Sequence, residues 1–178
     1  VSFSGKASLF NKSPYKVIKR KITDTGYELS RLSTAKAEAK NQLIEIYNKA
    51  LTEVGEMGAQ IFDIHIMMLD DEDYNESIES IIKNQKANAE YAVYLTSINF
   101  QAMFASMSDG YMRARASDIK DVSERIISCL EGKELTAHFS GDNIIICATD
   151  LAPSETVTLD KDKIVGFATS YGSSSSHT

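Results

Sequence analysis

Of all the features of this sequence, the placement of proline most limits the structures that the chain can form. Only Pro14 and Pro153 occur, so the whole of residues 15–152 is free of proline. Proline breaks a helix because it lacks an amide hydrogen and clashes with the preceding turn, so its absence here permits long helices. Apolar residues recur at three- and four-residue steps, namely Leu32, Ala35, Ala39, Leu43, Ile46, Ala50 and Val54. This spacing predicts one amphipathic helix of about eight turns.

A capping motif and two glycines predict the ends of that helix, and further helices follow it. Thr25 and Glu28 match a capping box at its start, and Gly55 and Gly58 are expected to end it. The later helical segments predicted from apolar periodicity cover roughly residues 59–69, 71–84, 88–107 and 109–130. Short connections between successive helices imply antiparallel neighbours, and therefore a helical bundle.

The two ends of the chain indicate a small α/β unit. Residues 15–22 alternate loosely, as in a strand with one exposed side, whereas 143–149 and 163–169 are apolar runs typical of buried strands. A turn and a short helix, with Ser154 as candidate N-cap, lie between these two runs. The simplest topology is a helical bundle inserted into an α/β unit. The expected domains are residues 1–22 with 133–178 for the α/β unit, and 23–132 for the bundle.

Composition excludes several classes of protein. The 178 residues are 43% hydrophobic and 25% charged, which is ordinary globular composition. A net charge of −6 and a pI near 5.1 argue against nucleic acid as the main partner. No apolar run reaches the ~18–20 residues of a membrane span, and no signal peptide is evident, so we expect a cytoplasmic location. Cys129 and Cys147 are interpreted as small buried hydrophobes, and no metal site is expected.

Charge is concentrated in two segments of opposite sign. Residues 1–21 hold six bases and no acid, whereas residues 56–80 hold eight acids and neither Lys nor Arg. The acidic segment could be a solvated face. It also contains more apolar side chains than one buried stripe requires, including Phe62, Met67 and Met68. Apolar groups ringed by acids suit a basic partner, because charge steers the encounter and apolar contact holds the complex.

The chain closes on a Gly/Ser-rich segment that ends in His177 and Thr178. It could be a flexible tail. Alternatively, a buried strand runs into this segment, and ligands of α/β units bind at the carboxyl ends of strands. Backbone amides in a turn of small residues can hold an anion. An imidazole there could carry a phosphoryl group covalently, because imidazole is nucleophilic near neutral pH and leaves readily once phosphorylated.

Four stretches together resemble the N-terminal part of Enzyme I, the phosphoenolpyruvate–protein phosphotransferase of the bacterial sugar phosphotransferase system. They are FDIHIMMLDDE at residues 62–72, YMRARASDIKDV at 111–122, DLAPSET at 150–156 and GSSSSHT at 172–178. The last stretch is also similar to the phosphohistidine domains of pyruvate phosphate dikinase and phosphoenolpyruvate synthase. The second stretch and the inserted bundle are specific to Enzyme I.

The resemblance implies roles for individual residues. His177 matches the histidine that phosphoenolpyruvate phosphorylates and that passes the group to the carrier protein HPr, and Thr156 matches the threonine that orients its ring. The inserted helices match the HPr-docking domain of the family. The residues matching the docking face are Ile61, His65, Met67, Met68, Glu72, Tyr111, Met112 and Arg115. A lone His between apolar helix positions, such as His65, can equally be a structural residue.

The chain departs from the family pattern in two ways. Many members have GGRTSH where residues 172–177 read GSSSSH, so any role of the arginine charge is open. The family also continues into the rest of a phosphohistidine-type α/β domain, and into a barrel that binds phosphoenolpyruvate and Mg²⁺ and forms the homodimer. We therefore expect a monomeric fragment that binds no Mg²⁺ itself and works with its own C-terminal domain. The alternatives are a nitrogen-regulatory paralogue, a dikinase-type swivelling domain, and a binding module without chemistry.

Overall fold

The computed structural model describes residues 6–10, 17–133, 142–148, 151–160 and 162–170. The chain divides into two compact units, Tyr15–Glu134 and a second unit made of Val1–Pro14 with Leu135–Thr178. The helices are α1 (Thr25–Asp70), α2 (Glu72–Gln85), α3 (Ala89–Ala105), α4 (Gly110–Glu131) and α5 (Pro153–Thr158). The strands are β1 (Lys6–Phe10), β2 (Ile144–Ala148) and β3 (Ile164–Thr169). The domain boundaries predicted at residues 22 and 133 stay a prediction.

The first helix is capped by the residue that precedes the predicted capping box. Asp24 is the N-cap, and its carboxylate accepts a hydrogen bond of 2.9 Å from the amide of Tyr27. Thr25 is already helical, so the prediction of a box built on Thr25 and Glu28 is wrong. Glu28 instead points into the protein, where it accepts a bond of 2.6 Å from the amide of Ala89. Asp24 therefore caps the helix, and Glu28 joins α1 to the start of α3.

Gly55 interrupts α1 without ending it. Its φ of 80° and ψ of −177° are accessible essentially only to glycine, and they kink the helix. The helix then continues to Asp70, so the two helices predicted on either side of the glycines are the two halves of α1. The second half, from Gly58 onward, carries four of the eight predicted docking residues, namely Ile61, His65, Met67 and Met68.

Apolar stripes hold the helical unit together. The predicted stripe of α1 is buried from Leu32 to Ala50, but its last member, Val54, is 53% exposed beside the kink at Gly55. Helix α4 packs against α1 and α3, and α2 packs against α1 and α3. Tyr74 of α2 is buried, and its hydroxyl shares a hydrogen bond of 2.7 Å with Ser123 of α4. The bundle predicted from sequence is confirmed, with its core along these facing stripes.

The segment before α1 does not form the predicted strand over residues 15–22 in its described part, residues 17–22. It pairs with the α2–α3 connection through a single antiparallel bridge between Lys21 and Ala87. The amide of Arg20 also donates to the Asn88 side chain at 2.7 Å. The pairing in residues 17–22 is therefore limited to this bridge, and its partner is a loop of the helical unit and not the sheet.

The second unit contains a three-stranded parallel sheet in the order β1-β2-β3. Its first strand is Lys6–Phe10, which no sequence pattern had indicated. Strands β2 and β3 confirm the two predicted apolar runs. Helix α5 lies between them in sequence and begins at the N-cap Ala152 with Pro153 in its first turn, so the proposed Ser154 cap is wrong. The buried core of this unit consists of Ile144, Ile146, Ala148, Leu151 and Leu159, with Ile164 packed against it.

Candidate functional site: a docking surface on α1 and α4

The predicted phosphoryl acceptor His177, and the Gly/Ser segment before it, lie outside the described residues. Thr156 is described and half-buried in α5. Its hydroxyl donates a hydrogen bond of 2.8 Å to the carbonyl of Pro153. Such a bond leaves the lone pairs of the hydroxyl oxygen available to accept from a neighbouring group. The orienting role of Thr156 stays a prediction.

The predicted docking residues fall on the second half of α1, the start of α2 and the start of α4, which we call the docking surface. Met67 is 66% exposed and Tyr111 is 63% exposed, while Met57 and Tyr27 elsewhere on α1 are also largely exposed. Glu72 is exposed, while Ile61, Met68 and Met112 are partly exposed. Met67, within the acidic segment of residues 56–80, and Tyr111 on α4 are therefore both open to solvent.

Acidic residues surround the docking surface. The exposed carboxylates of this region are Asp63, Asp70, Asp71, Glu72, Asp73 and Glu76. Part of this acidity has a structural cause, because Asp71 caps α2 through a bond of 2.8 Å to the Tyr74 amide. Acids in the first turn also favour the positive end of the helix dipole. Asp70 forms an ion pair with Lys40, whereas the carboxylates of Asp63, Glu72, Asp73 and Glu76 add negative charge to an exposed region.

His65 is the exception among the predicted docking residues, since its side chain is completely buried. It has no surface on which a partner could dock. The sequence carries a signal for this burial, because Ala59, Phe62, His65 and Leu69 follow one another at three- and four-residue steps along the inner face of α1. The structural interpretation of this histidine is therefore the one that its position supports.

Arg115 is also mostly buried, but it connects with the surface through Tyr111. Its guanidinium carbon lies 4.3 Å from the centre of the Tyr111 ring, an arrangement that allows a cation–π interaction. Its terminal nitrogen donates to Asp118 Oδ2 at 2.7 Å, and the other oxygen of Asp118 lies 3.5 Å from His65 Nε2. Asp118 thus connects His65 to Arg115, and Arg115 in turn contacts Tyr111. Sequence reasoning missed Asp118. The i,i+3 spacing of Arg115 and Asp118 on α4 was the available signal.

A separate cavity of about 320 Å³ lies between the first half of α1 and the α1–α2 junction. It is lined by Lys36, Lys40 and Asp70, among others, and Lys40 forms an ion pair of 2.6 Å with Asp70. Burial lowers the pKa of Lys36, although nearby carboxylates partly oppose that effect. None of the predicted site residues lines this cavity.

The described residues offer little for metal or thiol chemistry. No group of three or more His, Cys, Asp or Glu side chains in that part of the chain could hold a metal ion. Cys129 and Cys147 are both free and half-buried. Burial raises the pKa of the Cys129 thiol, which disfavours the nucleophilic thiolate. Among the described helices, none is long and apolar enough to cross a bilayer.

Comparison with known proteins identifies relatives of the chain. Residues 3–115 match the model of the family described as PEP-utilising enzyme, N-terminal. The phosphoenolpyruvate-protein phosphotransferase of Listeria monocytogenes is 39% identical over 160 residues, which are 89% of this chain and 28% of that protein. The protein of the same name from Geobacillus stearothermophilus is 38% identical over the same shares. The chain therefore spans a little over a quarter of the length of these relatives.

Solved structures share the fold. An NMR solution structure of Enzyme I has a TM-score of 0.77 and 32% identity, covering 93% of this chain and 68% of that one. The N-terminal domain of a nitrogen-type Enzyme I has a TM-score of 0.72 at 23% identity, covering 96% and 71%, which is a likeness of fold alone. Taken with the family match over residues 3–115, these similarities establish that the chain belongs to the PEP-utilising enzymes, as an N-terminal segment of the phosphoenolpyruvate–protein phosphotransferase, or Enzyme I, type.

Proposed function

We propose that this chain docks the carrier protein HPr and exchanges a phosphoryl group with it through His177. The observation that carries the proposal is the docking surface, where exposed Met67 and Tyr111 lie among solvent-facing carboxylates. HPr proteins present a basic, partly apolar face, so charge and apolar contact are both complementary. The family membership supports the same partner.

The proposed chemistry is a pair of phosphoryl transfers. In the first, a nitrogen of His177 forms a bond to phosphorus while the bond from phosphorus to the enol oxygen of phosphoenolpyruvate breaks, and the released enolate is protonated to pyruvate. In the second, a histidine nitrogen of HPr attacks the same phosphorus and the imidazole of His177 leaves. Imidazole suits both steps because it is nucleophile and leaving group in turn. Phosphoenolpyruvate and Mg²⁺ would bind the C-terminal domain of the whole protein.

The proposal places the whole protein in the cytoplasm, as a homodimer formed by the C-terminal domain, and this chain by itself as a monomer. We expect the chain to accept phosphate from phosphorylated HPr without that domain, because this reverse transfer needs only the docking surface and His177. A His177→Ala variant should dock HPr but accept no phosphate. Label on a residue other than His177 would contradict the assignment.

Docking is tested most sharply by reversing one charge on the surface. Glu72→Lys should weaken binding of isotope-labelled HPr, measured by NMR titration, about tenfold at low salt, with a smaller effect at high salt. Glu45→Lys makes the same change of net charge on an exposed position of the first half of α1, and should bind like the unaltered chain. Equal effects of the two variants would show that only net charge matters and would contradict a defined docking surface.

A second candidate is the nitrogen-regulatory branch, because a nitrogen-type Enzyme I has the same fold and the fold does not distinguish the two branches. The same titration distinguishes the two branches if the carrier of each is offered in parallel. Tighter binding of HPr supports the sugar branch, and tighter binding of the nitrogen-branch carrier supports the paralogue.

A further inference from the structure

His65 lies between α1 and α4 with a carboxylate facing each ring nitrogen. Nε2 is 3.5 Å from Asp118 Oδ1, and Nδ1 is 3.8 Å from Asp121 Oδ2. Neither nitrogen has a hydrogen-bond partner among the described residues. The ring packs edge-to-face against Phe62, with centroids 6.0 Å apart. A polar ring in such a place costs stability relative to an apolar one, so packing alone does not account for the residue.

Asp118 connects this buried ring to the docking surface. Its two oxygens are divided, since Oδ1 faces His65 while Oδ2 accepts the 2.7 Å bond from Arg115. The guanidinium of Arg115 in turn lies against the Tyr111 ring. Exposure rises along this series, from 0% for His65 and 8% for Arg115 to 63% for Tyr111. The four side chains therefore form a continuous path from the core of the helical unit to solvent.

We propose that His65 is a positioning residue. By contacting the oxygen of Asp118 that Arg115 does not bind, it fixes the orientation of Arg115 and Tyr111 on the docking surface without touching the partner. The consequence for docking rests on the proposed function, whereas the positioning itself does not. Arg115 binds only one oxygen of Asp118, and the ring of His65, 3.5 Å from the other oxygen, limits rotation of the carboxylate about its side-chain bonds.

Substitution of His65 by Gln and by Asn distinguishes this positioning role from a merely structural one. The amide nitrogen of Gln stands as many bonds from Cβ as Nε2 of His, and that of Asn as many as Nδ1. His65→Gln therefore keeps a donor towards Asp118, and His65→Asn keeps one towards Asp121. Leu69→Met alters another buried side chain in the same half of α1 and serves as the control for packing.

The first measurement is the NMR signal of the Arg115 Nε–H group, together with the Tyr111 ring signals, in the free chain. The signals should stay near their normal positions in His65→Gln and Leu69→Met, and should shift and broaden in His65→Asn. Unchanged Arg115 and Tyr111 signals in His65→Asn would overturn the positioning role. This arm needs no partner, so it decides the proposal even if the chain fails to bind HPr and the proposed function falls.

The second measurement is the Kd for HPr. His65→Asn should raise the Kd about tenfold, while His65→Gln should change it by less than about threefold. In an Arg115→Met background the effect of His65→Asn should disappear, because both residues act along one path. Equal losses in the Gln and Asn variants would indicate a structural role only, and a greater loss in Gln than in Asn would indicate action through Asp121; either result overturns the proposal.

Discussion

Replacement of Glu90 by Gln tests the charged network that joins the start of α1 to the start of α3. Glu90 is buried, and one of its oxygens accepts a bond of 2.7 Å from Arg31 while the other accepts a bond of 2.8 Å from Asn88. Arg31 also bonds Glu28 at 2.8 Å, so it joins two buried carboxylates. In Glu90→Gln only one oxygen remains, and the new amide group must face a donor. One hydrogen bond is therefore lost, and the charge of Arg31 loses a partner.

The expected cost follows from the burial of the pair. Removing one member of a fully buried ion pair costs about 3–5 kcal/mol, and an exposed pair contributes less than about 1 kcal/mol. The Arg31 side chain is 28% exposed and that of Glu90 is 6% exposed, so water still screens one end of the pair. We therefore expect a loss of about 2–3 kcal/mol in the free energy of unfolding. For a chain of this length that loss lowers Tm by roughly 5–10 °C.

The same network predicts a dependence on pH. Burial alone would raise the pKa of Glu90, but the hydrogen bonds from Arg31 and Asn88 outweigh it and hold the pKa below the ordinary value of 4.5. Because the folded state binds this proton less tightly than the unfolded state, the contribution of Glu90 is complete above pH 4.5. It is lost as the pH falls through the lower folded value. The stability gap between the unaltered chain and Glu90→Gln should therefore close at acidic pH.

Urea unfolding followed by far-ultraviolet circular dichroism measures both effects. Glu79→Gln is the matched control, because Glu79 pairs with Lys83 at 2.6 Å but both side chains are about half exposed. It should cost less than about 0.5 kcal/mol. If Glu90→Gln unfolds at the same denaturant concentration as this control, or if its deficit is the same at neutral pH and near pH ~3, the buried charges of the network do not stabilise the fold.

Two further predictions concern the backbone and the core. Gly55→Ala should lower the free energy of unfolding in urea by about 1–3 kcal/mol, because a φ of 80° with extended ψ suits only glycine. Gly110→Ala is the control and should be close to neutral, because an added Cβ there meets nothing closer than 3.5 Å. Equal losses in the two variants would contradict a backbone origin of the effect. Tyr74→Phe should cost about 1 kcal/mol by losing the bond to Ser123. Burial also raises the pKa of Tyr74, so its contribution is lost as the pH rises above 10, and Tyr74→Phe should be less sensitive to alkaline pH in thermal unfolding; an identical alkaline profile would contradict this.

The helical unit was predictable because helical periodicity is local. The positions from Leu32 to Ala50 predicted the buried face of α1, and each later apolar series matched a helix of the structure. Features that depend on distant pairing were missed. Extended backbone before α1 was expected, but nothing in its pattern names the α2–α3 loop as its partner. The first strand of the sheet, Lys6–Phe10, is likewise defined only by its pairing with β2.

The docking surface was likewise predictable only in part. Its residues came from a resemblance and from the excess of apolar groups among acids, and neither source says which side chains face outwards. For His65 the two kinds of sequence information disagree, because the resemblance assigns it to the docking face while its spacing from Phe62 and Leu69 assigns it to the core. The burial of the ring resolves the disagreement in favour of the spacing.

The proposed positioning role of His65 is compatible with its burial, because the ring lies 3.5 Å from a carboxylate that also binds Arg115. That relation depends on the register of α1 against α4, which brings together residues more than fifty positions apart in the chain. Periodicity can place each residue on a face of its own helix, but it cannot choose that register. Under the positioning proposal, His65 is buried in the core and still affects the docking surface through Asp118. The different responses expected of His65→Gln and His65→Asn test this indirect effect.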